Sequence, residues 1–258
     1  MVDVLRAELS AGRIPRDFTF QSGFGSVGNA VLGNLSSSEF GTLNMYTEVA
    51  QDAALSLVLE GRIRAVSATS LLLSAKGRNC LYENLPCLRK RVVLRPQDVT
   101  NDAGMIHRMG VIAMNTALEV DIYGNVNSTH VMGSGMMNGI GGSGDFARNS
   151  ALAVFITPSV AKEGTISSIV PMVSHVDHTE HDVHIVVTEQ GVADLRGKSP
   201  TERARLIIEN CAHPDYRAAL RDYCEQANRD ASARHTPHSL DKALSWHQRY
   251  LDKKHMLL

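Results

Sequence analysis

The sequence contains the stretch Gly139-Ile140-Gly141-Gly142-Ser143-Gly144-Asp145-Phe146-Ala147-Arg148-Asn149-Ser150, in which four of the first six residues are glycine. Glycine tolerates positive φ angles and leaves backbone N–H groups uncovered, so a ligand can approach the main chain closely. The residues from Asp145 onward have the character of a helix, and a helix N-terminus favours negative charge. The stretch therefore predicts a loop that receives an anionic or polar group.

The composition is that of a globular protein with a sizeable core. The chain has 258 residues, of which 43% are hydrophobic and 21% charged, so it needs no disulfide or metal to stabilise its fold. This length fits one large α/β domain or two small ones. The formal net charge of -1 gives no electrostatic reason to expect nucleic acid or an anionic membrane as a partner.

The cysteines and the N-terminus indicate an intracellular protein. The four cysteines form no C-x-x-C pair, and we expect free thiols in a reducing compartment. No apolar run approaches the roughly 18 residues of a membrane span. The first residues lack the basic-then-apolar order of a signal peptide. We expect a soluble, cytoplasmic protein, or a mitochondrial matrix protein if a presequence belongs to a preceding segment.

Apolar strand patterns alternate with helical patterns along most of the chain, which predicts an α/β fold with a mostly parallel sheet flanked by helices. Residues 117–131 add a β-hairpin around Tyr123-Gly124-Asn125. We predict a linker-like segment at 1–20, the main domain at 21–228 and a polar, partly helical tail at 229–258. The predicted strands are 42–47, 65–69, 91–96, 111–116, 152–157, 166–170 and 183–188, and the predicted helices are 1–13, 49–59, 103–109, 199–211 and 213–228.

Two glutamates follow predicted strands directly. Glu48 lies between a strand and a helix, and Glu189 follows a strand beside Gly191. Ligands of open α/β sheets bind at the carboxyl ends of the strands, which favours a functional role. The alternative for Glu48 is a helix N-terminal carboxylate that complements the helix dipole. Periodicity alone favours this structural interpretation.

Three further patterns leave alternatives open. The segment Gly23–Gly28 fits the letters G-x-G-x-x-G of a nicotinamide site, but only a short apolar patch precedes it. Four histidines between His175 and His184 suggest either a metal site or a loop whose histidines bond to neighbouring acids and to the backbone. Glu119 and Asp121 share one face of a strand, and we expect that face to be exposed.

Several segments together resemble the acetyl-CoA hydrolase/transferase family of class I CoA-transferases, and most closely the succinyl-CoA:acetate CoA-transferases. The resemblance runs from about residue 1 to about residue 225, and the order and spacing of the motifs make it specific. The motifs are Gln21-Ser22-Gly23, Tyr46-Thr47-Glu48-Val49, Gln51-Asp52, Leu94-Arg95-Pro96-Gln97, Asn115–Gly124, Gly139–Ser150, His175–His184 and Thr188–Gly197.

The resemblance implies a role for each matching position. Glu48 matches the nucleophilic glutamate that attacks an acyl-CoA thioester and later carries CoA, and Gly142 matches the glycine whose N–H faces the thioester oxygen. Asn101 and Glu189 match active-site residues, and Lys162 matches a lysine that contacts CoA. The residues that line the CoA site are Gly23, Phe24, Gly25, Ser26 and Val27.

The same resemblance implies the substrates and the partners. We expect acetyl-CoA, succinyl-CoA, acetate and succinate as substrates, no metal or redox cofactor, and a homodimer. Phe24 stands where a smaller aliphatic residue is usual, which narrows the predicted acyl pocket, and residues 76–86 depart from the family pattern as an altered loop.

The resemblance also implies an N-terminal half that this chain lacks. We expect the chain to be a piece of a longer protein, a naturally shortened protein, or one subunit whose partner supplies the other half. Three functions follow as alternatives: a CoA-transferase, an acetyl-CoA hydrolase with the same glutamate, or a non-catalytic CoA- or partner-binding module. The third predicts exposed apolar surface where the N-terminal half would dock.

Overall fold

The structure, a computed structural model, describes residues 1–23, 25–36, 40–231 and 234–257, without the side chains of Ser26, Val27, Asn29, Ala30 and Ser36. The fold is mixed α/β with a large, mostly parallel sheet flanked by helices, as predicted. The chain forms two compact units. Unit 1 comprises Met1–Thr116 with Gly141–Ala153, and unit 2 comprises Ala117–Ile140 with Val154–Leu258. The predicted boundaries near residues 20 and 228 stay predictions.

Up to Thr116 the chain contains seven strands and seven helices among its described residues. The strands are β1 (Thr19–Ser22), β2 (Leu43–Tyr46), β3 (Val49–Ala50), β4 (Ile63–Ala68), β5 (Ser70–Leu71), β6 (Val92–Leu94) and β7 (Ile112–Thr116). The helices are α1 (Val2–Ser10), α2 (Ser26–Ser36), α3 (Asp52–Leu59), α4 (Ala75–Glu83), α5 (Leu85–Leu88), α6 (Gln97–Thr100) and α7 (Ala103–Arg108).

The five longer strands of unit 1 are parallel and lie side by side in the order β7-β1-β2-β4-β6. Parallel strands covered on both faces carry apolar side chains in both directions. Phe20, Met45 and Ile112 are accordingly buried. This order brings the carboxyl ends of the strands to one edge of the sheet, where β1, β2 and β7 are neighbours.

The remaining elements follow β7 along the chain. The strands are β8 (Glu119–Asp121), β9 (Val126–Asn127), β10 (His130–Val131), β11 (Gly135–Met136), β12 (Leu152–Ile156), β13 (Val160–Ala161), β14 (Ile166–Ser167), β15 (Ile169–Val170), β16 (Ile185–Thr188) and β17 (Gly191–Asp194). The helices are α8 (Ser143–Asn149), a 3-10 turn (Glu180–Asp182), α9 (Pro200–Cys211), α10 (Pro214–Asp230) and α11 (Ser245–Lys253).

Unit 2 combines a parallel pair with an antiparallel edge. Strand β12 pairs in parallel with β16, and β16 pairs antiparallel with β17. Strand β8 lies between β15 and β9, and the antiparallel β8–β9 pair confirms the predicted hairpin. Helix α9 begins at the predicted residue because Ser199 and Glu202 form a capping box ahead of Pro200. No helix of the described residues is long and apolar enough to cross a membrane.

The predicted helix at 49–59 was wrong in its first turn. Val49 and Ala50 form β3, which pairs with β5, and α3 begins only at Asp52. The predicted loop at 76–86 was also wrong, because this segment forms α4 and the start of α5. The side chain of Ser74 accepts a hydrogen bond from the N–H of Gly77 and so caps α4.

The expectation that Glu119 and Asp121 lie on an exposed strand face was wrong. Glu119 is 7% exposed and Asp121 is 1% exposed. One carboxylate oxygen of Asp121 accepts hydrogen bonds from the N–H groups of Tyr123, Gly124 and Asn125, which closes the hairpin turn. Burial is possible because each carboxylate is fully hydrogen-bonded, as a buried charge requires.

Candidate functional site

Glu48 lies at the carboxyl end of β2, between that strand and β3. The N–H of Thr47 donates to Ser67 (3.0 Å), and its hydroxyl donates to the carbonyl of Ser22 (3.4 Å). The carbonyl of Glu48 itself accepts from the N–H of Thr69 at 2.8 Å. The backbone around Glu48 is therefore fixed to both neighbouring strands, and its side chain is half-buried. The acid in the first turn of α3 is Asp52, not Glu48.

Gly142 lies directly against the carboxylate of Glu48. It is buried and forms the N-cap of α8. A Cβ atom on Gly142 would overlap Oε2 of Glu48 and would lie 2.7 Å from Nδ2 of Asn101. The preceding Gly141 has a φ of 54°, and a Cβ there would lie 3.5 Å from the same carboxylate oxygen. Glycine at 142 thus creates the space that the carboxylate occupies.

Asn101 ends α6 and directs its amide towards the same place. Its Nδ2 donates to Oδ2 of Asp145 at 3.0 Å, and Asp145 lies in the first turn of α8. Within the part of the chain that the structure describes, Oδ1 of Asn101 is buried and has no hydrogen-bond partner. Unit 1 therefore brings together three of the predicted site residues, Glu48, Asn101 and Gly142.

A small apolar cluster supports these three segments. It consists of Tyr46, Ile106, Val111, Ala113 and Phe146. The Tyr46 hydroxyl donates to the carbonyl of Val99 at 2.7 Å, close to Asn101, and the ring of Tyr46 contacts that of Phe146. One side chain of β2 thereby connects the segment of Glu48 to α6 and to α8.

The glycine-rich segment after β1 belongs to the same unit. The N–H of Gly23 donates to Met114 at 2.7 Å, and Gln51 accepts from the N–H of Gly25 at 3.4 Å. A Cβ on Gly28 would overlap the carbonyl oxygen of Gly23, so glycine is required for this close packing. Phe24 lies outside the described residues, as do the side chains of Ser26 and Val27, which begin α2.

Glu189 and Lys162 belong to unit 2. Glu189 follows β16 and accepts hydrogen bonds from the N–H of Ser159 (2.8 Å) and from its hydroxyl. Partial burial opposes ionisation of Glu189, but the bonds from Ser159 outweigh it and hold the pKa of this carboxyl below its ordinary value. Lys162 is exposed in the turn between β13 and β14, with a φ of 49°.

Two histidines of the tract lie close to neighbouring acids. His175 lies 3.4 Å from a carboxylate oxygen of Asp177, and His181 lies 3.6 Å from Glu180. His178 is buried and contacts the ring of Phe155. In the described ranges, no cluster of three or more histidine, cysteine or acidic side chains has the arrangement of a metal site.

Two contacts of the site were not predicted from the sequence. Asp145 lies inside the glycine-rich stretch, and Gln51 follows Glu48 by three residues. Both belong to the motifs that carry the family resemblance, which is the signal that could have identified them. Their partners, Asn101 and Gly25, lie far away in sequence, so neither contact follows from local pattern.

The family described as acetyl-CoA hydrolase/transferase C-terminal domain matches residues 77–224, more than half of the chain. This range includes Asn101, Gly142, Lys162 and Glu189 and begins after Glu48. The succinyl-CoA:acetate CoA-transferase of Clostridium kluyveri is 56% identical over 252 residues, which are 97% of this chain and 47% of that protein. The acetyl-CoA hydrolase of Schizosaccharomyces pombe is 48% identical over an alignment of 261 positions, which covers 98% of this chain and 50% of that protein.

Among solved structures, the crystal structure of RipA from Yersinia pestis matches with a TM-score of 0.72 at 30% identity. The match covers 87% of this chain and 52% of that one. The chain spans about half the length of the curated relatives that it matches. With its family match and its mostly parallel α/β fold, the chain belongs to the acetyl-CoA hydrolase/transferase family.

Proposed function

We propose that the protein to which this chain belongs is a CoA-transferase that moves CoA from a short acyl-CoA to a carboxylate through a covalent intermediate on Glu48. The observation that carries this proposal is the contact between the Glu48 carboxylate and the backbone at Gly142. Acyl transfer requires a nucleophile and a hydrogen-bond donor for the oxyanion that forms. In this proposal the Glu48 carboxylate is the nucleophile and the Gly142 backbone supplies the donor.

The first step forms a mixed anhydride. An oxygen of the Glu48 carboxylate attacks the thioester carbonyl, the carbon–sulfur bond breaks, and CoA leaves as a thiolate. The thiolate then attacks the glutamyl carbonyl of the anhydride and releases the acyl group as a free carboxylate. Glu48 now carries CoA as a thioester, and a second carboxylate reverses the two steps to give the new acyl-CoA.

The backbone N–H of Gly142 is the proposed donor to the oxyanion that forms during each attack. A glycine donor has no side chain that would block the approach of the thioester. Loss of one such donor typically lowers the rate by about 100-fold to 1,000-fold. Fixed hydrogen bonds around Thr47 and Glu48 keep the nucleophile in place, which lowers the cost of reaching the attack geometry.

The substrates proposed are acetyl-CoA and succinyl-CoA as donors and acetate and succinate as acceptors. The name of the Clostridium kluyveri relative, a succinyl-CoA:acetate CoA-transferase, supports this choice. The chemistry uses the CoA thioester as substrate and needs no further cofactor. Because relatives are about twice as long, we include an N-terminal half or partner subunit in the active form, and we propose a homodimer.

Trapping the intermediate tests the role of Glu48. The chain, together with an N-terminal half, is incubated with acetyl-CoA and treated with borohydride, which reduces a glutamyl thioester to the alcohol. Mass spectrometry of the peptides should locate the change at Glu48, and Glu48→Gln should remove it. Modification at another residue, or at none while CoA transfer proceeds, would reject the mechanism.

Hydrolysis is the second candidate, because the Schizosaccharomyces pombe relative is named an acetyl-CoA hydrolase. Water would then release CoA from the same glutamyl thioester. Consumption of acetyl-CoA and formation of free CoA are measured with and without succinate. Consumption that rises with succinate and yields succinyl-CoA supports the transferase, whereas consumption that yields free CoA at a rate unchanged by succinate identifies a hydrolase. CoA binding without any turnover would support a non-catalytic module.

A further inference from the structure

The amide of Asn101 lies between two carboxylates, and only one of them has a place in the proposed reaction. Its Nδ2 donates to Asp145 at 3.0 Å. The same nitrogen and Oε2 of Glu48 both lie within 2.7 Å of the point where a Cβ of Gly142 would stand. We propose that Asp145 is a positioning residue, which acts through Asn101 and sets which end of its amide faces Glu48. This inference rests on the proposed function of Glu48.

The hydrogen bond to Asp145 decides the orientation of the amide. A carboxylate only accepts, so the group of Asn101 that faces Asp145 must be the NH₂ and not the oxygen. An NH₂ has two hydrogens, and the second one remains available towards Gly142 and Glu48. In the reversed orientation the amide oxygen would face the Glu48 carboxylate and would repel both it and the developing oxyanion.

Among the described residues, the bond to Asp145 is the one hydrogen bond that fixes the orientation of the Asn101 amide. The oxygen of Asn101 is buried and unpaired among residues 1–23, 25–36, 40–231 and 234–257. The amide can therefore rotate by half a turn at little cost once Asp145 no longer accepts from it. A donor at the reaction centre would then be present only part of the time, and the rate of the chemical step would fall.

A purely structural role for Asp145 makes a different prediction. As the acid in the first turn of α8, Asp145 would favour the helix through its charge alone. Asp145→Asn removes the charge but keeps an oxygen that can accept from Asn101. Asp145→Ala removes both. A role through Asn101 separates these two variants in activity, whereas a role through the helix dipole makes them equal and affects thermal stability.

A spectroscopic experiment tests the contact without any need for activity. The side-chain NH₂ signals of Asn101 are followed by NMR in a Glu48→Gln background, which leaves Asp145 as the one carboxylate of the pair. We expect one of the two NH₂ hydrogens to exchange slowly with solvent because Asp145 accepts its hydrogen bond, and Asp145→Ala to remove that protection. Signals that do not respond to Asp145 would overturn the inference, whether or not the protein transfers CoA.

A double-mutant cycle tests the consequence in the active, complete enzyme. We expect Asp145→Ala to lower kcat about tenfold with little change in KM, and Asp145→Asn to keep about half of the activity. Asn101→Ala should lower kcat further, and the double variant should equal Asn101→Ala. Additional loss in the double variant, or equal effects of the Asn and Ala substitutions at 145, would overturn the inference.

Asp98→Ala, which removes an exposed acid from the neighbouring α6, serves as the control and should leave kcat unchanged. A wild-type enzyme that transfers no CoA would reject the proposed function, while the NMR exchange measurement would still decide the contact between Asp145 and Asn101. The two failures are therefore distinct.

Discussion

At the scale of single residues, the candidate site depends on the absence of a Cβ atom at Gly142. The space beside its Cα is occupied by the carboxylate of Glu48 and the amide of Asn101. These two groups come from the ends of β2 and α6, so their meeting point is fixed by the backbone of unit 1. Any residue other than glycine must displace one of them.

We expect Gly142→Ala to lower kcat by about 100-fold or more. The new methyl group would displace the Glu48 carboxylate, so the nucleophile and the proposed oxyanion donor would no longer face the same thioester carbonyl. Gly139→Ala is the matched control, since a Cβ there meets no atom of the described residues within 4 Å. Both variants are assayed for CoA transfer in the complete enzyme, with circular dichroism to confirm folding. Activity of Gly142→Ala similar to that of Gly139→Ala would contradict the assigned geometry.

The sequence named Glu48 and Gly142 as candidates because each lies in a motif of the family, and Asn101 because the resemblance matches it to an active-site asparagine. Their roles stay predictions. The sequence was not sufficient to reveal that Asp145 holds Asn101 or that Gln51 holds Gly25. These contacts join side chains across the unit, and their partners depend on rotamers and backbone positions that no local pattern specifies. Buried carboxylates such as Glu119 were misjudged for the same reason, because their hydrogen-bond donors come from distant segments.

At the scale of secondary-structure elements, α11 is connected to β8 by a buried pair. Nε2 of His247 on α11 lies 2.7 Å from Oε2 of Glu119, and both side chains are almost fully buried. The other oxygen of Glu119 accepts from Asn127 and from the N–H and hydroxyl of Ser174. Burial opposes ionisation, but these bonds prevail and hold the pKa of Glu119 below its ordinary value.

The lowered pKa of Glu119 makes the stability of unit 2 dependent on pH. A group with a lowered folded pKa contributes stability that is fully present above its ordinary pKa and is lost as pH falls through the folded value. We expect Glu119→Gln to lower the free energy of unfolding by about 1–3 kcal/mol at neutral pH. This difference from wild type should shrink below about pH 4.

Urea unfolding measured at several pH values checks this prediction. The fluorescence of Trp246, the single tryptophan of the chain and the neighbour of His247, reports on α11 directly. Glu225→Gln is the control, because Glu225 forms an exposed pair with Arg229, and such pairs contribute little to stability. If the difference in free energy of unfolding between wild type and Glu119→Gln stayed constant or grew as the pH fell, ionisation of Glu119 would not be the source of the stability.

The start of α9 was predicted from its capping residues, whereas strand β3 was missed because it depends on pairing with another segment. Ser199, Pro200 and Glu202 specify the start of α9 by local chemistry alone. Strand β3 has two residues, and it exists because Leu72 donates to Ala50 and because β5 pairs with it. Helix propensity favoured continuing α3 into this segment, and tertiary hydrogen bonds prevailed over it.

At the scale of the whole molecule, unit 1 exposes apolar side chains around its edge strand β6. Leu94 is 55% exposed, and Val93 and Val99 are also exposed. Exposed apolar surface of this kind is typical of a contact with another protein segment. We propose that the N-terminal half included in the active form covers this surface.

We expect the chain alone to be inactive, and a separately produced N-terminal half from a relative to restore CoA transfer on mixing. Leu94→Lys should weaken this complementation at least tenfold without loss of thermal stability, because it places a charge in an apolar contact. Leu240→Lys, at a leucine of unit 2 that is 81% exposed, is the control. Full activity of the unmixed chain would contradict this prediction.

The discontinuity of unit 1 has a consequence for how the protein is made. Residues up to Thr116 leave the ribosome with Glu48 and Asn101 already present, but the segment from Gly141 to Ala153 that completes their unit follows the 117–140 excursion. A nascent chain that stops before Gly141 therefore holds the nucleophile without its proposed oxyanion donor. In the proposed mechanism, a nascent chain of this length has no donor for the oxyanion, and we expect it not to react with acyl-CoA.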